Sequence, residues 1–221
     1  SVMPVMIFTS DHRAETITRV TDVVKDYQAK NGSQRIKFRL ATGNVGVMAA
    51  TNEEVSASQF PILVYVFAAI VTLCLLTFRS LRATLAITIP LGLVSLLAYA
   101  LMAWLEIGLK VSTLPVVALG VGVGVDYGIY IFSRMKTYLE EGQSLQDAYL
   151  HTLAITGNGV VFTGVTLAIG VATWIFSPLK FQADMGILLT FMFLLNMLGS
   201  IILLPALASW MGIGAVKERS S

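Results

Sequence analysis

The stretch that decides the fold is LGVGVGVDYGIYIFSR, residues 119–134. It is apolar enough to sit in a membrane, yet Asp126 lies about eight residues from its basic end. Placing a charge at that depth costs at least about 2.5–3.5 kcal/mol on insertion scales. Asp is too short to reach the interface, as Lys can. Its carboxyl must therefore be protonated, paired or next to water. Burial raises a carboxyl pKa and a nearby cation lowers it. A carboxyl held between those pulls can load and release protons near neutral pH. The competing reading is a structural hydrogen-bond partner that fixes helix packing.

At 100° per residue, Gly120, Gly124 and Gly128 share one helix face, and Gly122, Tyr130 and Ser133 share the face of Asp126. Small residues on two sides let neighbouring backbones approach from both, so this span is expected at the centre of a bundle. The Gly-x-Gly spacing is not a nucleotide loop, because no strand precedes it and the glycines lie inside the span.

Working outward, four more apolar stretches appear, giving spans over about 60–78, 83–105, 111–133, 157–176 and 185–210. Each is roughly 28–39 Å long as a helix, enough to cross a hydrocarbon core of about 30 Å. The chain has 221 residues, 56% hydrophobic and 13% charged, about half the charge of a soluble domain. Residues 1–54 carry 13 of the 28 charged residues. The chain thus divides into a polar head (1–54), a five-helix membrane bundle (55–214) and a short tail (215–221). Arg79, Arg82, Arg134, Lys136, Lys217 and Arg219 lie on one side, against Lys110 and Lys180 on the other. That bias puts the first set and the C-terminus in the cytoplasm and the head outside.

In the head, residues 4–9 and 35–41 read as strands and 11–30 as a helix, a βαβ unit too small to stand alone. Residues 42–59 are small and polar and read as a connector. The N-terminus lacks the pattern of a signal peptide, and the chain is expected to begin within a larger protein. Ser144 and Asp147 resemble a capping box, which predicts a short amphipathic helix over 144–152 at the cytoplasmic interface; a solvated connector is the alternative. Pro90 is expected to kink the second span.

Span four carries Gly159, Thr163, Thr166, Gly170 and Thr173 at spacings that share one face. This stripe could serve Asp126 or a water file, or it could be small-residue packing with hydroxyls bonded to their own backbone. Asn196, Gly199 and Ser200 form a weaker polar cluster that reads as packing glue. Glu106, Lys110, Lys180 and Asp184 fall at span ends, where charge is cheap. Cys74 needs no role beyond that of a small hydrophobe. There is no nucleophile–base pair, no ligand-spaced metal set around His12 or His151, and no basic stripe for nucleic acid. An enzyme and a nucleic-acid binder are therefore not expected.

The run from Gly120 to Tyr127 resembles the Asp-Tyr signature of the resistance-nodulation-division superfamily, nearest its MmpL-like exporters. The resemblance extends over essentially the whole chain, including the FRSLR loop at 78–82. It implies the C-terminal half of a twelve-span fold built from two six-span repeats, preceded by part of a periplasmic, ferredoxin-like porter subdomain. It further implies export of a lipid or other hydrophobic substrate from the bacterial inner membrane, with protons as coupling ion and no other cofactor. Asp126 and Tyr127, helped by Thr163 and Thr166, would then be this repeat's share of a proton relay. The implied partners are membrane lipids, the other half of the transporter, further copies as a dimer or trimer, and proteins across the envelope. The drug-efflux branch carries a Lys in the corresponding span, and none lies in this one. A sterol-sensing lipid receptor and an accessory motor for protein export share the architecture and remain as alternatives.

Overall fold

A computed structural model describes residues 14–31, 44–107 and 113–213. The chain divides into two compact units, 1–58 with 108–111, and 59–107 with 112–221. Among the described residues every regular element is helical. The two strands expected at 4–9 and 35–41 lie outside those residues, as do the tail from 214 and Lys110.

The first unit holds α1, Ala14–Asn31, and the start of α2, Asn44–Phe78. Ile17 and Val55 are its buried apolar side chains. Lys25 Nζ meets Glu53 Oε2 at 2.7 Å, both groups being exposed. Helix α2 corrects the connector expected over 42–59, since the chain is helical from Asn44. The segment between Asn44 and Phe60 holds Met48, Ala49, Ala50, Glu53, Glu54 and Ala57 and contains no proline, so intrinsic propensity supports a helix there despite its polarity.

The second unit is a bundle. Five helical stretches are long and apolar enough to cross a membrane: Glu53–Phe78, Leu81–Trp104, Pro115–Glu140, Leu145–Phe176 and Lys180–Trp210. All five expected spans are present, several with extra turns. The protein is therefore a multi-pass helical membrane bundle.

Helix α3, Leu81–Trp104, begins at Ser80, whose hydroxyl accepts from the Ala83 N–H. Helix α4 runs Leu114–Glu140 with Pro115 in its first turn, where its missing N–H costs nothing. Neighbouring helices cover 56% of the α4 span, against 44% for α3, 44% for Lys180–Trp210, 17% for Leu145–Phe176 and 11% for α2. Helix α4 is thus the central element, as its glycines implied.

Helix α5, Leu145–Thr152, starts as the capping box predicted: Ser144 Oγ accepts from the Asp147 N–H at 3.1 Å. It does not form a separate element. It passes through a π-helical turn, Leu153–Gly157, into α6, Asn158–Ala172. No Gly or Pro stands between Ser144 and Gly157 to break it. Helix α7, Lys180–Leu198, likewise continues through a π-helical turn, Gly199–Leu203, into α8, Leu204–Trp210. Asp184, expected at a cheap span end, is buried.

Two local features set the joints. Pro205 has no N–H for the Ile201 carbonyl one turn earlier. The Tyr149 hydroxyl of α5 donates to that carbonyl at 2.8 Å, tying α5 to the bend between α7 and α8. Between α2 and α3, Arg79 has φ 48°, and its N–H donates to the Leu75 carbonyl at 2.8 Å. This left-handed position after a helix normally takes glycine.

Two predictions follow from these joints. Tyr149→Phe leaves the Ile201 carbonyl without its donor and should lower bundle stability by about 0.5–2 kcal/mol, read as thermal unfolding in detergent. Arg79→Gly relieves the left-handed strain and should raise stability by about 1 kcal/mol in the same assay.

Candidate functional site

The site is built on α4. Its glycine face is packed against this chain's own helices. A Cβ at Gly120 would overlap Met192, one at Gly124 would overlap the Asn196 amide, and one at Gly128 would press on Ile87. The close approach lets Asn196 Nδ2 donate to the Gly120 carbonyl at 2.8 Å. Asn196 is 4% exposed, and the polar cluster around it acts as the helix glue its composition suggested. Gly164 on α6 faces Met197 in the same way, and Gly186 on α7 comes against Trp174 and the Val171 carbonyl.

The Asp126 face behaves differently. Leu119, Gly122, Asp126, Tyr130 and Ser133 form one stripe along α4, and all five are exposed. A Cβ at Gly122 would meet nothing within 4 Å. Among the described residues, only one of the two expected close approaches is therefore made. Among the described residues, no hydrogen bond or ion pair joins Asp126 to another group of the chain. Not every exposed stripe is of this kind. That of α3 is Leu85, Ile89, Leu93 and Leu96, the composition that acyl chains favour.

Tyr127, next in sequence, turns about 100° away and is buried. Its hydroxyl has no hydrogen-bond partner among the described residues. The pair therefore splits, with the carboxyl on the open stripe and the phenol inside the bundle.

Thr163 and Thr166 also lie on an exposed face, with Gly159, Gly170 and Thr173. Helix α6 turns Val160, Gly164 and Ala168 inward instead. Thr173 Oγ1 donates to the Gly170 carbonyl at 2.7 Å, as packing alone would predict. Among the described residues, Thr163 and Thr166 form no such bond, and neither is hydrogen-bonded to Asp126. The structure thus unites the glycines with Asn196 but does not join the threonines to the carboxyl.

Sequence reasoning missed Tyr149. Its clue was Pro205, which frees a carbonyl that some donor must satisfy. At the end of α4, Arg134 stacks over Tyr138 at 5.0 Å, and Tyr138 meets His151 edge-on at 5.7 Å. No group of three or more metal-ligating side chains occurs among the described residues.

The comparison with known proteins agrees with this architecture. The chain is similar to "Membrane protein YdfJ" of Bacillus subtilis, 25% identical over 204 residues, 86% of this chain and 27% of that protein. It is similar to the "Probable trehalose monomycolate exporter MmpL3" of Mycobacterium leprae, 36% identical over 93 residues, 42% of this chain and 10% of that one. The "Trehalose monomycolate exporter MmpL3" of Mycobacterium tuberculosis is 29% identical over 99 residues, 44% of this chain and 10% of its own length. The chain spans about a quarter of the first of these relatives and a tenth of the other two. The family match itself runs over residues 8–220, nearly the whole sequence, and on that extent the chain belongs to the MMPL family.

Proposed function

We propose that this chain is the proton-conducting membrane half of an exporter that moves a lipid or other hydrophobic molecule out of the bacterial cytoplasmic membrane. The single observation that carries the reading is the position of Asp126. It lies on the polar, uncovered stripe of the most deeply covered span, with no partner among the described residues. An acid in that place is stable only against water, a proton or a second polar surface. In the twelve-span fold that surface is the matching helix of the first repeat. The proton passes down its gradient through Asp126 at that seam, and the Tyr127 phenol, turned into the bundle, is the second group of the relay. Thr163 and Thr166, whose hydroxyls are not used by their own helix, offer a second set of groups for water or for the facing repeat.

The orientation follows from the basic loops, with the head in the periplasm and Arg79, Arg82, Arg134 and the C-terminus in the cytoplasm. Substrate is handled by the periplasmic part, and the spans supply the driving force. Coupling requires two conformations in which Asp126 holds its proton with different affinity. The trehalose monomycolate exporters among the relatives make a lipid-like cargo the natural first trial.

The primary test is Asp126→Asn in the full-length protein, reconstituted and assayed for proton-gradient-dependent export. Export should fall to background while the protein still assembles, and Asp126→Glu should retain part of it. Undiminished export by Asp126→Asn at normal protein levels sinks the reading. A double Thr163→Val, Thr166→Val variant should slow export several-fold without lowering thermal stability; a pure stability loss would return these residues to packing.

A further inference from the structure

A small cavity lies between α3, α4 and the bend joining α7 to α8, lined by Ile87, Pro90, Leu91, Gly124, Asn196 and Ser200 among others. It has room for about one water molecule. We propose that this cavity is a water-binding site in which one buried water ties the three helices together through Asn196.

Two polar side chains of its wall, Asn196 and Ser200, and the carbonyl that Pro90 leaves without a donor make the case. Asn196 uses its Nδ2 on the Gly120 carbonyl, and its Oδ1 is buried without a hydrogen-bond partner among the described residues. Pro90, in the cavity wall, has no N–H for the Ala86 carbonyl one turn back. No side chain donates to that carbonyl among the described residues. Ser200 donates its proton to the Met197 carbonyl at 2.8 Å, which leaves the lone pairs of its oxygen free.

The carbonyl freed by Pro205 gives the contrast. Ile201, one turn before Pro205, receives the Tyr149 hydroxyl. At Pro90 the chain supplies a water-sized space and an amide oxygen instead of a donor. A water there donates one proton to Asn196 Oδ1 and the other to the Ala86 carbonyl. An acceptor left unmatched in a dry site is costly, which is why a cavity of this size with polar groups in its wall holds water when a wholly apolar one stays dry.

Gly124 completes the site, because a Cβ there would occupy the position of the Asn196 amide. The cavity lies roughly 200° around α4 from Asp126. It serves the scaffold of that helix, so its test does not depend on proton transport.

The experiment uses the full-length protein in lipid nanodiscs. X-ray hydroxyl-radical labelling should mark Pro90 and Leu91 despite their burial, because bound water supplies the radical in place. A single-particle map that shows ordered waters elsewhere in the bundle should show a peak within hydrogen-bond distance of Asn196 Oδ1 and the Ala86 carbonyl. Asn196→Leu should abolish both the labelling and the peak. Pro90→Ala, which returns an N–H to the Ala86 carbonyl, should weaken the peak while preserving the fold. A dry cavity in such a map, or an Asn196 Oδ1 that accepts from a protein N–H, overturns the assignment.

Discussion

The bundle depends on how closely α4 and α7 approach. Between helices in lipid there is no hydrophobic drive, since acyl chains are as apolar as leucine. Association must come from packing and from the few polar bonds that close contact allows. Gly120 and Gly124 remove the side chains that would hold α7 away, and Met192 and Asn196 enter the space. The bond from Asn196 to the Gly120 carbonyl forms because those glycines have no Cβ. Gly164 and Gly186 repeat the device between α6 and α7. With α3 also packed on α4, the central helix is held on the glycine side and left open on the other.

The second constraint is that backbone groups within hydrocarbon need internal partners. Prolines at 90 and 205 each remove one donor from a span. The chain answers the second with a tyrosine from a different helix and a π-helical turn. At Pro205 the cost of the proline is thereby converted into a joint between elements, and α5 becomes part of the bundle.

Much of this was legible in the sequence, and the limits have physical causes. The spans were readable because length and apolarity alone decide whether a helix can cross. The central place of α4 was readable because glycines recurring every fourth residue have few other uses in a membrane helix. The helix from Asn44 to Phe60 was obscured because its polarity resembles that of a loop, although its Ala and Glu favour helix. The passage of α5 into α6 was hidden because a capping box marks where a helix starts and says nothing of where it ends. The Tyr149 contact joins residues 52 apart in sequence, which no local pattern reports. At the candidate site, helical spacing placed Asp126 with Gly122 and Ser133, but whether anything covers that stripe depends on the rest of the assembly.

The contrast between exposed faces carries the last step. On α3 the outward positions are Leu85, Ile89, Leu93 and Leu96, side chains that lose nothing against acyl chains. On α4 the outward stripe from 119 to 133 contains one leucine, a glycine, an aspartate, a tyrosine and a serine. Both helices have the length and apolarity to span, so the difference is not one of membrane insertion. A face that met lipid would gain by trading Gly122 and Ser133 for branched apolar residues and would be penalised by about 2.5–3.5 kcal/mol for Asp126. A face that meets protein or water needs small residues for close approach and polar ones for hydrogen bonds. From Gly122 to Ser133 the stripe has the second composition, and only Leu119 at its far end suits lipid equally. Asp126 is therefore not an isolated charge on an otherwise lipid-like face, but the most polar member of a stretch whose other residues, Gly122, Tyr130 and Ser133, suit contact with protein or water.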